Sequence, residues 1–418
     1  MPHFRALRTF ASRHRRRPVA GVILAATVGS ALWSIGCSEL FTAATPSEDI
    51  FDAPVAGLTV AEQAAFARGD AEFNRRFAPS TGLGPIFNNV SCFSCHSGDG
   101  RGRSENSLKR IGSADDAFLS SLGGPQIQDR AVVGAEPETV PPGIAVSVRL
   151  PSPVFGVGLM EAIADATLLS LADPDDRNRD GISGRANLVS YPDYLPDDER
   201  ITARRVGRFG RKGQVANLLQ QTVEAYHQDI GITSEFRPIE NRNPRSSIPV
   251  EAIDLAADPE IPAATVRAVV AYIRTLAPPA PGDMTPSREE GRALFDQARC
   301  SACHVPTLRT GDSPIRALAN QDAALYSDLL LHDMGEALAD NRPDGSATGR
   351  EWRTPPLWGL RLMRQFLNGD AFLMHDGRAR SVDEAIRLHD GEARASRDNF
   401  LSLSAAQRAA LLDFVESR

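Results

Sequence analysis

Residues 300–304 read Cys300-Ser301-Ala302-Cys303-His304, and residues 92–96 read Cys92-Phe93-Ser94-Cys95-His96. The pattern C-x-x-C-H is typical of covalent haem attachment, in which two thiols add to the vinyl groups and the histidine ligates the iron. Two intervening residues let both sulfur atoms reach one edge of the porphyrin, and the adjacent imidazole then lies beneath the metal. The sequence therefore predicts two covalently bound haem c groups, with His96 and His304 as iron ligands.

We call residues 92–96 the first hook and residues 300–304 the second hook. A structural zinc site is the alternative interpretation, because the two C-x-x-C segments of the hooks can supply the four thiolates of tetrahedral zinc. Zinc does not require a histidine directly after each C-x-x-C segment, and the two hooks lie far apart in the chain. Both points favour haem. The chain has five cysteines, and the fifth is Cys37, so none is left for a disulfide.

Residues 1–37 are typical of an export signal. Residues 1–17 contain six arginines and no acidic residue. An apolar run from Val19 to Ile35 follows, and then come Gly36 and Cys37. The segment Ser34–Cys37 resembles a lipobox, whose cysteine is acylated and becomes the new N-terminus. An uncleaved signal anchor is the alternative, since the apolar run is almost long enough to span a bilayer. Either way, we expect the rest of the chain to face the periplasm, held to the membrane by the lipid or by the anchor.

The chain after residue 37 is acidic. It has 40 basic and 53 acidic residues, which gives a net charge of −13, and no basic run follows residue 17. This composition argues against nucleic-acid binding. It suits a basic or dipolar redox partner.

Helix start signals precede both hooks. Thr59-Val60-Ala61-Glu62 is a capping box that opens a helix ahead of the first hook, and Ser287-Arg288-Glu289-Glu290 is a capping box ahead of the second. Each hook also has a candidate closing helix, at residues 266–276 and after the capping box Ser404–Gln407. A helix, a haem hook and a closing helix are the arrangement of a cytochrome c domain.

The predicted fold class is therefore mainly α, with two tandem cytochrome c-like haem domains, since strand signals are few. The first domain spans residues 45–277 and is enlarged by a long insertion. A proline-rich linker follows at residues 278–286, and the second domain spans residues 287–418.

The insertion contains a candidate calcium loop. Asp176, Asn178, Asp180 and Gly181 have the spacing of the first half of such a loop, but Asn187 stands where an EF-hand has glutamate. Clusters of these residue types also form plain turns. Calcium is thus a candidate cofactor, and a plain turn is the alternative.

His389 is the predicted sixth ligand of the second haem. Ser381 caps a short helix predicted to run to Asp390-Gly391, and one face of that helix is apolar except for the histidine. The residues of this face are Val382, Ala385, Ile386 and His389. Inside a small domain filled by haem, a histidine on such a face is a plausible axial ligand.

Other residues compete for the remaining roles. Met334 and Met374 are the alternative sixth ligands of the second haem. No ligand stands out for the first haem, because His227 lies in a polar stretch and is expected to be exposed. Glu161 interrupts the apolar stretch 157–163, so it is either a paired core acid or a group that faces the cofactor.

Several stretches resemble the bacterial di-haem oxidoreductases related to peroxidases, some of which are labelled thiol oxidoreductases. The resemblance covers nearly all of the chain after the signal. Its stretches are Gly82–Gly102, Gly158–Ile163, Asp180–Arg185, Gly231–Ser234, Leu330–Gly335 and Trp352–Leu360.

The resemblance extends to the di-haem cytochrome c peroxidases and the MauG-type enzymes. Their second domain carries an H-[DS]-G motif similar to His375-Asp376-Gly377. The resemblance also implies that the electron-storing haem takes its sixth ligand from the helix that follows this motif, at the position of His389. Histidine where the peroxidases have methionine implies a lower potential for that haem.

Two functions follow from these observations. In the first, hydrogen peroxide binds at an open position of the first haem, Glu161 acts as general acid–base, and the second haem passes on electrons from a small soluble cytochrome. In the second, the protein is an electron relay without a substrate pocket. The long insertion favours the enzyme, since a relay needs no such elaboration.

Overall fold

The computed structural model describes residues 51–96, 100, 102–112, 116–197, 202–249, 253–367 and 369–418. The predicted export signal with Cys37 lies outside these ranges, as does the predicted start of the first domain at residue 45. Within them, no helix is both long enough and apolar enough to cross a membrane.

Helices are the main regular element of the described residues, which confirms the predicted mainly-α class. Their bounds are α1 Val60–Asn74, α2 Cys92–Cys95, α3 Asp116–Ser121, α4 Val157–Ala162, α5 Asp165–Leu171, α6 Leu218–Ala225, α7 Ala263–Thr275, α8 Pro286–Gln297, α9 Leu360–Phe366, α10 Val382–Leu388, α11 Arg394–Ser402 and α12 Ala405–Glu416.

The strands are short, and in the described ranges they form small antiparallel sheets. Their bounds are β1 Ile86–Phe87, β2 Leu108–Gly112, β3 Gln126–Ile127, β4 Arg130–Ala131, β5 Ala145–Arg149, β6 Leu188–Val189, β7 Arg205–Val206, β8 Leu308–Arg309, β9 Asp322–Ala323, β10 Leu331–Asp333 and β11 Glu351–Arg353. β2 is the centre of a three-stranded sheet between β3 and β5, and the pairs are β1 with β4, β6 with β7, β8 with β9 and β10 with β11.

The helix before the first hook packs against the helix predicted to close that domain. α1 begins at the predicted capping box, in which the Thr59 hydroxyl accepts from the Glu62 amide and the Glu62 carboxylate accepts from the Thr59 amide. α1 then crosses α7, and Phe73 contacts Tyr272 with ring centroids 5.4 Å apart. These aromatic rings form part of the larger hydrophobic core.

The same arrangement recurs with α8 and α12. Phe295 contacts Phe414 with ring centroids 5.6 Å apart. α12 begins at the predicted capping box of Ser404. The predicted start of α8 at Ser287 is wrong: Thr285 is the N-cap and Pro286 the first residue, because proline favours the first helical position, where its missing N–H costs nothing.

Buried contacts join the segments before and after the proline-rich linker. Lys212, which is fully buried, donates to an Asp340 carboxylate oxygen over 2.8 Å. Arg185 pairs with Glu351. All described residues belong to one compact unit, Pro46–Arg418, and the division into two haem domains stays a prediction.

Candidate haem sites

Each hook begins with a single helical turn. The first forms α2, whose N-cap is Ser91, and the second is a 3-10 turn at Cys300–Ala302. In both, the histidine amide donates to the first cysteine's carbonyl over 3.0 Å, from His96 to Cys92 and from His304 to Cys300. The turn brings two thiols and an imidazole close together, as haem attachment requires.

An aromatic ring from the preceding helix packs near each hook histidine. The ring centroids of Phe73 and His96 lie 6.2 Å apart, and those of Phe295 and His304 lie 6.5 Å apart. The two phenylalanines come from α1 and α8, the equivalent helices of the two pairs. The surroundings of the two hooks therefore repeat.

A cavity of about 180 Å³ lies beside the second hook. One water needs about 10–15 Å³ of such space, so the cavity is far larger than a water site. Cys300, Cys303 and His304 line it together with apolar side chains from α8, α10 and α12. A macrocycle with an apolar body fits this lining.

His304 and His389 both face this cavity with one ring nitrogen engaged by backbone. His304 Nδ1 lies 2.9 Å from the Tyr326 carbonyl oxygen, and His389 Nδ1 lies 2.7 Å from that of Ala385. These bonds assign Nδ1 as the donor and leave Nε2 for a metal. The residues present thus fit a haem, for which His304 and His389 would supply imidazole ligands.

The position of His389 at the end of its helix differs from the prediction. α10 ends at Leu388, and His389 is its C-cap, so the helix does not reach Asp390-Gly391 as predicted. The predicted apolar face nevertheless lines the cavity along its whole length. Met334 and Met374 also line the cavity, and the identity of the sixth ligand stays a prediction.

A buried ionic cluster that sequence reasoning missed adjoins the second hook. His332 is 3% exposed and lies between Asp328, 2.8 Å from Nε2, and Glu392, 2.8 Å from Nδ1. Burial opposes its charge, but the bonds to these carboxylates and to Cys303 raise the pKa of His332 well above its usual value. Glu392 also accepts from the Ser183 hydroxyl, which ties the insertion to this site.

The predicted H-[DS]-G motif also borders this cavity. The ring of His375 stacks on Trp352 with centroids 3.8 Å apart and planes 7° from parallel. Burial lowers the pKa of His375 to about 4. His375 is therefore a neutral ring in the cavity wall.

The first hook is more enclosed. Burial lowers the pKa of His96 to about 4, although backbone hydrogen bonds with Ser152 and Gly100 act in the opposite direction. A neutral imidazole suits a metal ligand. Asn89 donates to Cys95 Sγ over 3.3 Å, and burial together with the charge of Asp229 raises the pKa of Cys95 to about 12.

Glu161 is a paired acid. Its Oε1 accepts from the Leu218 amide at the start of α6 over 2.8 Å, and its Oε2 accepts from Arg274 Nε over 2.6 Å. The first of the two alternatives for this residue thus describes its contacts. A catalytic role for Glu161 stays a prediction.

Asp229 is an acidic residue near the first hook that sequence reasoning missed. Its carbonyl oxygen accepts from the amides of Asn88 and Asn89, and its carboxylate accepts from Gln126. Burial raises the pKa of Asp229 to about 6, although the bond from Gln126 acts in the opposite direction. A carboxyl group that titrates near neutrality is suited to proton transfer.

His227 is not exposed as predicted. It is 6% exposed, and its Nε2 lies 3.0 Å from the carbonyl oxygen of Ile239. A π-helical turn at Tyr226–Ile230 continues α6 and turns the ring inward.

The side chains of the candidate calcium loop accept hydrogen bonds from backbone amides of the same loop. Asp176 accepts from the amides of Asp180 and Gly181, and Asn178 accepts from that of Asp180. Asn187, at the twelfth position, is bonded instead to Lys212 and Asp344. These contacts are those of a turn, and calcium stays a prediction.

The model of one protein family matches the sequence. Its description is "Di-haem oxidoreductase, putative peroxidase", and it matches residues 31–114 and 139–418. No curated protein matches the sequence significantly.

Solved structures give distant matches. One is hydrazine synthase of Kuenenia stuttgartiensis, with 14% identity, a TM-score of 0.40 and coverage of 97% of this chain and 100% of that chain. Another is a MauG-like protein associated with microbial copper homeostasis, with 16% identity, a TM-score of 0.28 and coverage of 63% of this chain and 87% of that chain.

Proposed function

The chain belongs to the family of di-haem oxidoreductases, and from this membership we propose that it is a peroxidase-like enzyme that faces the periplasm. The hooks Cys92–His96 and Cys300–His304 would each hold one covalent haem. Once bound, the two haems would supply the redox chemistry that reduces hydrogen peroxide to water with electrons from a small soluble cytochrome. The acidic composition of the chain after residue 37 suits a donor with a basic face.

The unequal supply of histidines to the two hooks carries this proposal. His304 and His389 both line the cavity beside the second hook. This arrangement suits an iron that would have two protein ligands and no position left for substrate. Of the four other described histidines, His332 is bonded through both ring nitrogens to Asp328 and Glu392, and His375 stacks on Trp352. His227 is bonded to Ile239, and among the described residues no hydrogen bond or ring contact joins it to the first hook. The last is His96 itself, which supports an open position for substrate at the first hook.

A peroxidase also needs a group that moves a proton between the two oxygens of the peroxide. Glu161 is the predicted group, and it would have to act while paired with Arg274. Asp229 is the second candidate, because its backbone and Asn89 connect it to Cys95. We keep both candidates, since one pair of variants separates them.

The test is the electronic state of the oxidised protein together with peroxide turnover. We expect optical and EPR spectra with one high-spin and one low-spin haem, and peroxide consumption with a reduced small cytochrome as donor. Two low-spin haems without peroxide consumption would contradict the proposal and support the electron relay.

A further inference from the structure

Most of the cationic side chains that line the cavity beside the second hook pair with a carboxylate. These pairs are Arg299 with Asp180 at 3.2 Å, Arg397 with Asp390 at 3.4 Å, and His332 with Asp328 at 2.8 Å. Arg353 lines the same cavity and is 7% exposed, yet in the described ranges no carboxylate oxygen lies within 4.0 Å of its guanidinium.

Neutral carbonyl groups hold the Arg353 side chain in place. Its Nε donates to Gly210 over 3.1 Å, and its Nη1 donates to Thr354 over 2.9 Å. Nη2 is left without a hydrogen-bond partner among the residues that the structure describes. Burial lowers the pKa of Arg353 to about 10, although the charge of Asp328 acts in the opposite direction. A buried cation of this kind is unfavourable unless an anion completes the site.

A second arginine stands next to it. The Arg353 amide donates to the Arg211 carbonyl over 3.0 Å, and the Arg211 side chain is 7% exposed and lines the same cavity. Arg211 Nε and Nη2 both donate to the Leu150 carbonyl, over 3.1 and 2.6 Å, so Arg211 contributes positive charge beside Arg353. A guanidinium presents its donors in a fork that matches a carboxylate, and Arg353 places such a group on a cavity that is otherwise largely apolar.

Haem has the complementary chemistry, because its macrocycle is apolar and its only anionic groups are two propionate carboxylates. We infer that Arg353, with Arg211 beside it, binds a propionate carboxylate of the haem attached at Cys300 and Cys303. This inference rests on the proposed second haem but not on peroxidase activity. The positive charge would stabilise the reduced, less positive iron and so raise the midpoint potential of that haem.

The test compares Arg353→Leu with Arg350→Leu in the haem-loaded protein. Arg350 lies three residues earlier, and its side chain is 48% exposed and pairs with Asp333 at the surface. Midpoint potentials are measured by spectroelectrochemistry from pH 5 to pH 8, with haem content as a check. We expect Arg353→Leu to lower the potential of one haem and to make it fall more steeply with pH, because the propionate can then take up a proton. Arg350→Leu should leave both potentials unchanged.

Arg353→Lys and Arg353→Gln keep the test open if the leucine variant does not accumulate with two haems. Lysine retains the charge and should keep the potential closer to that of the wild type than glutamine does. Potentials in Arg353→Leu or Arg353→Gln equal to those of Arg350→Leu would overturn the inference. Because peroxide turnover is not a readout, this outcome is distinct from a failure of the proposed function.

Discussion

A methyl group on Gly69 would lie 2.1 Å from the carbonyl oxygen of Ala268, so α1 and α7 cross with no room for a side chain between them. α8 and α12 repeat this relationship, because a methyl group on Gly291 would lie 2.1 Å from the carbonyl oxygen of Ala410. Four residues after each glycine comes the phenylalanine that packs near the hook histidine. The close crossing therefore sets the position of the ring beside each proposed haem.

We expect Gly69→Ala and Gly291→Ala each to lower the free energy of unfolding by about 1–3 kcal/mol, as overpacking does in a dense core. Alanine in an isolated helix would instead be favoured by about 1 kcal/mol. Urea unfolding of the haem-loaded protein measures the difference. Ala67→Gly, at an exposed position of α1, is the control and should cost about 1 kcal/mol through helix propensity alone. A gain in stability with Gly69→Ala would show that the two helices are not in contact.

His389→Ala should open the second haem and give a high-spin signal or a bound water, because one imidazole is lost. His389→Met should keep the iron low-spin and raise its midpoint potential, since imidazole stabilises the ferric state more than a thioether does. Optical and EPR spectra and a redox titration measure these changes. Met334→Leu and Met374→Leu are the matched controls, because both methionines line the same cavity. If one of these, and not His389→Ala, changes the low-spin spectrum, that methionine is the ligand.

Glu161→Gln and Asp229→Asn separate the two candidates for proton transfer. If Glu161 acts in catalysis, its glutamine variant should lower peroxide turnover by about 100-fold or more, in the range of general acid–base catalysis. If Glu161 only pairs with Arg274, the variant should lower thermal stability and leave turnover within a few fold. Asp229→Asn should leave turnover within a few fold in the first case and lower it by about 100-fold or more in the second. Steady-state kinetics and thermal denaturation of both variants are required.

Glu138→Gln should stabilise the protein at pH 8 and have little effect at pH 4.5. Glu138 is 2% exposed, and burial raises its pKa to about 8 from an ordinary value near 4.5, although the Gln128 amide donates to it. Between these values the folded state holds a proton that the unfolded state lacks. Stability therefore falls as the pH rises, by at most about 1.4 kcal/mol per pH unit.

Urea unfolding at pH 4.5, 6 and 8 checks this expectation. Glu136→Gln is the control, because Glu136 is exposed and only two residues away. Parallel pH profiles of Glu138→Gln and the wild type would show that Glu138 is ionised in the folded protein.

Cys37→Ala should release the protein from the membrane fraction as a soluble periplasmic species, because it removes the proposed lipid attachment. Fractionation of cells with an antibody against the chain measures the release. Continued sedimentation with the membranes would favour the uncleaved signal anchor instead.

The hooks and their flanking helices could be predicted because their signals are local in the sequence. A capping box occupies four consecutive residues, and Thr59 and Ser404 begin α1 and α12 as predicted. The apolar face that ends at His389 was likewise visible from its spacing alone. Ser287 shows the limit of a local rule, because a proline one residue earlier moved the start of α8.

The environments of single polar residues could not be predicted, because distant segments create them. Arg353 is held by Gly210, and Asp229 by Gln126, over separations of more than a hundred residues along the chain. His227 has polar neighbours in sequence but is buried by the turn that follows α6. The short strands were missed for a related reason, since a two-residue strand carries no alternating pattern.

Lys212 has no exposed surface and reaches from the segment before the proline-rich linker into the segment after it. Its ammonium group donates to Asp340, Arg342 and Thr348 over 2.7–2.9 Å. A fragment that ends at the linker would expose this ammonium and lose all three acceptors. Neither half of the chain is therefore complete when it is cut at the linker. We expect thermal denaturation to unfold both haem environments in one transition.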